Sequence, residues 1–133
     1  MSRLEKQIKY WQETASRDLA VAESLFKLQH YDACLFFCHL SLEKELKGLV
    51  VEKNNGPAPY IHDLERLINL TDFDDVSKDI KDNLKTITEF NISGRYPEIK
   101  KDFYLKCDKQ YTKKYLDITK KLHKWLRKEY LKK

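Results

Sequence analysis

The densest grouping of side chains able to do chemistry lies between Cys34 and Lys47, where two thiols, an imidazole and several charges are threaded among leucines and phenylalanines. Cys34, Cys38 and His39 are donor types that zinc takes. On a helix, however, adjacent residues diverge by about 100°, so Cys38 and His39 cannot converge, and a structural zinc needs further ligands. Free thiols packed in a reducing cytoplasm fit better, and the odd number of cysteines (Cys34, Cys38, Cys107) agrees with that reading. Glu43 follows His39 at the spacing of a base and its orienting carboxylate. With no nucleophile close by in the sequence, His39 reads as a satisfied core histidine. Glu43, Lys44 and Lys47 could line a polar mouth that receives a phosphate or a partner's acids. Equally, Glu43 and Lys47 could form a surface i,i+4 pair worth ~0.3–0.5 kcal/mol.

Two further motifs carry chemistry. Arg95-Tyr96 sets a guanidinium beside an aromatic ring, a combination suited to a phosphate and a stacked base. Pro97 disfavours helical geometry at Tyr96, so both residues are expected to be held extended. The structural alternative is that Tyr96 packs on the core and Arg95 caps the carbonyls of the preceding helix. His62-Asp63 reads as a helix start, with Asp63 favoured in the first turn, because His30, His39 and His123 show no carboxylate pattern for a metal-dependent phosphohydrolase. No metal site and no cofactor are expected.

The elements that must hold these residues read as helices. Leu4, Ile8, Trp11, Ala15, Leu19, Ala22 and Phe26 step by three or four, which predicts a first helix over about 3–29. A second begins near Asp32 as a cap and runs to about Lys53. It is apolar on most sides through Leu42, as a central bundle helix would be, with its charged end emerging where neighbours splay apart. Gly48 inside it would cost ~1 kcal/mol against alanine, which suggests a close helix crossing. Asn54-Asn55-Gly56-Pro57-Ala58-Pro59 stops the helix. A short helical segment follows at His62–Ile68. The next helix carries Phe73, Val76, Ile80, Leu84, Ile87 and Phe90 on one face and ends at Asn91–Gly94, with Arg95-Tyr96-Pro97 in the loop beyond. A last helix over about 109–130 packs Tyr111, Tyr115, Ile118, Leu122, Trp125 and Leu126. The fold class is therefore all-α: an up-and-down antiparallel four-helix bundle with one additional short helix, five helices in a single domain over 1–133.

The chain is 41% hydrophobic with sixteen aromatic residues (eight Tyr, six Phe, two Trp), too much packing material for a disordered segment. No apolar run reaches the ~18–20 residues that span a bilayer, and Met1–Lys6 lacks the apolar stretch of a signal peptide, so a cytoplasmic protein away from membranes is expected. The net charge is +5, but ten basic residues from Lys109 onward face only Asp117 and Glu129. That excess is either a solvated outer face or an electrostatic handle for an anionic partner. Tyr10, Trp11, Phe36, Phe37, Tyr104 and Tyr115 exceed what one thin bundle buries, which points to a homodimer.

Several segments occur in an order that resembles the HEPN domain (higher eukaryotes and prokaryotes nucleotide-binding), particularly its small stand-alone prokaryotic type. These are Ala15-Ser16-Arg17-Asp18-Leu19-Ala20-Val21-Ala22, Tyr31-Asp32-Ala33-Cys34-Leu35-Phe36, Ser41-Leu42-Glu43-Lys44-Glu45-Leu46-Lys47, His62-Asp63-Leu64 and Gly94-Arg95-Tyr96-Pro97 before a basic helix. The resemblance implies a helical bundle that commonly dimerises and often partners a minimal nucleotidyltransferase, sometimes as a toxin–antitoxin pair. A nucleotide, RNA or that partner would then be received by the polar mouth read from the residues themselves, Glu43, Lys44, Lys47, Arg95 and Tyr96, together with the basic last helix. Many such proteins are metal-independent ribonucleases with an Arg followed by four to six residues and a His. None of Arg3, Arg17, Arg66, Arg95 and Arg127 has a His at that spacing. A binding role without catalytic residues is therefore expected, with a ribonuclease toxin of degenerate active site, using Arg95 with His39 or His62, as the alternative.

Overall fold

A computed structural model describes residues 1–73, 75–95 and 97–130, with the backbone alone for residues 94, 95 and 97. Six helices and no strand are found among the described residues: α1 (Arg3–Lys27), α2 (Tyr31–Asn54), α3 (Leu64–Asn69), α4 (Lys78–Arg95), α5 (Pro97–Lys106) and α6 (Lys109–Tyr130). All five other helices pack against α2. This explains why α2 shows no single apolar stripe: Ser41, Leu42, Val50 and Val51, which the helix spreads around its axis, are all buried.

Contacts give the helix directions. Phe26 meets Tyr31, Asp18 meets Lys44, and Trp11 lies against Gly48, so α1 and α2 form an antiparallel hairpin. Ser41 meets His123 and Glu45 meets Arg127 further along, so α2 and α6 run parallel. Gly48 is the close crossing its sequence position suggested, because a Cβ there would overlap the Tyr130 hydroxyl and stand 3.1 Å from Trp11 Cβ. Asn55, at φ 51°, takes the left-handed cap that closes α2. α3 starts one residue after Asp63, whose carboxylate accepts from the Glu65 and Arg66 amides at 3.0 and 3.3 Å.

The structure differs from the sequence expectations in four places. Residues 97–106 form a helix of their own, so six helices replace five; Pro97 suits a first helical position, and Phe103 is buried against Phe90, 5.6 Å between centroids. Arg95 closes α4 with helical backbone and does not lie in an extended loop, while Tyr96 falls outside the described residues. Phe73 and Val76 precede α4, and Phe73 packs on Trp125 at 4.6 Å. Finally, Asp32 lies in the first turn of α2, with His30 in the cap position.

Candidate functional site: a buried carboxylate and an anchored guanidinium

The charged end of α2 does not emerge into solvent: Glu43, Glu45 and Lys47 are all buried. A helix turns about 100° per residue, so Glu43 and Glu45 point roughly 200° apart and serve two different clusters.

Glu43 faces the loop before α3. It accepts from Lys47 Nζ at 3.0 Å and from His62 Nδ1 at 2.8 Å. The fully buried His39 donates from Nε2 to the His62 carbonyl at 2.8 Å, which ties that loop to α2. Burial alone would raise the Glu43 pKa, but the bonds from His62 and Lys47 outweigh it and hold the carboxyl below its usual range. Lys44 points elsewhere, onto the buried Asp18 of α1 at 2.5 Å. Of the five residues expected to form one site, Glu43 and Lys47 therefore come together and Lys44 sits on a different side. The Arg95 side chain and Tyr96 lie outside the described residues.

Glu45 faces α6 and is completely buried. His123 donates from Nδ1 to Glu45 Oε1 at 3.1 Å, and its Nε2 meets Ser41 Oγ at 2.9 Å. Arg127 donates from Nε to the same carboxylate oxygen, and its Nη2 donates to the Gln12 carbonyl at 2.9 Å and to Ser16 Oγ at 2.8 Å. The guanidinium is thus fixed by α1 and α2 together. Its Nη1 has no acceptor among the described residues, and the side chain is 39% exposed. Such a group is preorganised to take an anion's oxygen along its open edge.

Beside it opens a cleft of about 600 Å³ between α1 and α6. Ser16, Leu19 and Glu23 form the α1 wall, and Lys120, Lys124, Arg127 and Lys128 form the other. Four cations thus face two carboxylates, Glu23 and Glu45, and one of the four, Lys120, reaches across to Glu23 at 3.5 Å. Lys113, Lys120, Lys124 and Arg127 recur at helical spacing, and with Lys109, Lys121 and Lys128 they make a basic stripe about 28 Å long. Both ring nitrogens of His123 are engaged, so this imidazole orients and braces its neighbours and is not a free base.

Sequence reasoning missed this cluster, although one signal was available. His123 and Arg127 are one turn apart on α6, with His first, the reverse of the arginine-then-histidine order sought along the chain. Glu45 gave no local signal. Among the described residues no three His, Cys, Asp or Glu side chains group closely enough to hold a metal ion, and no helix is long and apolar enough to cross a membrane.

The fold and this arrangement define a small helical-bundle protein with a cationic cleft between its first and last helices. The HEPN domain family matches residues 8–129, nearly the whole chain, and the chain belongs to that family. No curated protein matches the sequence. Among solved structures, the crystal structure of TT1696 from Thermus thermophilus is similar over 92% of this chain and 97% of that one, with a TM-score of 0.77 and 22% identity. That likeness establishes the fold alone.

Proposed function

We propose that this HEPN protein binds the phosphate of a nucleotide or RNA in the α1–α6 cleft and acts as a binder, the non-transferase partner of a minimal nucleotidyltransferase. The observation that carries the reading is Arg127: its guanidinium is held on two edges by Glu45, Gln12 and Ser16, leaving one edge open to the cleft. The basic stripe of α6 extends that point of attachment, and a polyanion lying along it would release counterions in proportion to the phosphates neutralised. Ile92, Tyr104 and Leu105, exposed on α4 and α5, leave apolar surface that a second copy or the transferase would cover. The engagement of both His123 nitrogens favours binding over catalysis.

The test is fluorescence anisotropy with a labelled single-stranded RNA and with ATP as competitor. Arg127→Gln is expected to weaken binding by ~10-fold or more, as loss of a charge-assisted bond implies. Because that change also strips Glu45 of a partner, the exposed pair Lys124→Gln and Lys128→Gln provides the fold-neutral control. Together these two are expected to weaken binding and to flatten its salt dependence. Unchanged affinity in the lysine variant would refute the cleft as the site. Metal-independent RNA cleavage lost in Arg127→Gln would replace the binder with the ribonuclease.

A further inference from the structure

A second concavity, of about 330 Å³, lies on the other side of α1, between its Gln7–Tyr10–Trp11 face and the Pro57–Tyr60 segment. We propose that this pocket is a separate binding site for a small planar aromatic carboxylate.

Its walls are aromatic rings and prolines: Tyr10, Trp11 and Tyr60 with Pro57 and Pro59. Tyr10 and Trp11 stack edge to face at 5.4 Å, and Tyr60 stands fully exposed at the rim. Exposed aromatics arranged around a gap offer flat faces to a ring. The one charged group lining the pocket is Lys47. Its ammonium lies 5.7 Å from the Trp11 ring centroid, and the residue is only 7% exposed.

An ammonium carries three N–H donors. Lys47 spends one on Glu43 Oε2, and the others have no acceptor among the described residues. Glu43 in turn divides its charge between Lys47 and His62, so the ammonium is incompletely neutralised. Leaving donors of a nearly buried cation unfilled is costly, and the two oxygens of a carboxylate supply the missing acceptors. A cationic ligand, which the aromatic walls alone would favour, is opposed by the ammonium already over Trp11. The volume matches on the order of ten water molecules, room for a one- or two-ring acid and too little for a folded element of another protein. The pocket shares no lining residue with the α1–α6 cleft.

The experiment is an NMR titration of the full chain with indole-3-carboxylate, using indole and acetate as controls. The Trp11 indole N–H signal is expected to shift saturably at millimolar acid. The Trp125 signal, packed on Phe73, is expected to stay still. Indole lacks the carboxylate and acetate lacks the ring, so each is expected to bind at least ~10-fold more weakly. Lys47→Met should abolish the shift. Tyr60→Ala, at a residue that makes no buried contact, should weaken binding several-fold in an unchanged fold. Lys124→Gln with Lys128→Gln should leave it intact, so this site and the phosphate cleft fail independently. A shift that does not saturate, equal binding of indole, or shifts concentrated at Lys124 and Arg127 would overturn the proposal.

Discussion

Gly48 offers the sharpest test of the packing that positions both clusters, because α1, α2 and the end of α6 meet there. Gly48→Ala would gain ~1 kcal/mol of helix propensity if nothing opposed it. The new methyl would, however, overlap the Tyr130 hydroxyl, which donates to the Glu45 carbonyl at 3.0 Å. Moving that hydroxyl forfeits its hydrogen bond, ~1 kcal/mol, and displacing a packed ring adds the ~1–3 kcal/mol typical of overfilled sites. The Tyr130 ring is only partly buried against the core, which keeps the second figure near the lower end. The net expectation is a loss of about 1–2 kcal/mol.

The Tyr130→Phe background reverses the sign. Without the hydroxyl, the next Tyr130 atom lies 3.6 Å from the added carbon, an ordinary contact, and only the 3.1 Å approach to Trp11 Cβ remains tight. There Gly48→Ala should range from neutral to ~1 kcal/mol stabilising. The coupling energy in the double-mutant cycle is then about 2 kcal/mol, measured by urea unfolding followed by circular dichroism with m held common to the set. An alanine that stabilises the wild-type chain, or one that costs the same in both backgrounds, would refute the crossing as described.

Two other outcomes follow from buried titratable groups. Glu43 has its carboxyl pKa held below the ordinary 4.5, so the unfolded chain binds more protons in acid; its contribution to stability is full above 4.5 and is lost as the pH falls through the depressed value. Urea midpoints measured between neutral pH and pH ~3 should therefore fall more steeply in the wild type than in Glu43→Gln. An identical slope would show that Glu43 is not so held. The thiols should be inert in the folded chain: burial lifts Cys107 to about 12, and the Cys34 contact together with burial raises Cys38. Iodoacetamide should label none of Cys34, Cys38 and Cys107 at neutral pH until denaturant is added, and fast labelling of native protein by mass spectrometry would contradict the packing.

Much of the fold was legible because the helices carry their own period. Ala15 and Ala22 on α1, and Leu122 and Leu126 on α6, are buried as their spacing predicted. The asparagine–glycine–proline run after α2 stops it at the expected place. α5 is not legible in the same way because a proline marks equally the break behind one helix and the first position of the next, where its fixed φ is an advantage. The candidate site was hidden for a different reason. Helical periodicity reports neighbours within two turns, whereas Glu45 finds His123 78 residues away and Arg127 82 away. Even Glu43 reaches 19 residues forward to His62. A charge inside a leucine-rich helix says only that partners must exist, not where they are.

That long reach also explains why α2 carries these charges at all. A central helix wrapped by greasy neighbours has little to fix its rotation, since leucine surfaces pack tolerably in several registers. Glu45 removes that freedom for α6: a slip of one residue would turn His123 and Arg127 about 100° away and leave a fully buried carboxylate unpaired, a cost of several kcal/mol. Lys44 with Asp18 constrains α1 in the same way, and Glu43 with His62 the loop ahead of α3. Arg127 is then oriented by the contacts that set the register of the bundle. Its open edge faces the α1–α6 cleft because α1 supplies Gln12 and Ser16 to one side of the guanidinium and α2 supplies Glu45 to the other. Binding geometry and helix register rest on one set of bonds, so a change at Glu45 would disturb both together, whereas changes at Lys124 and Lys128 touch the cleft alone.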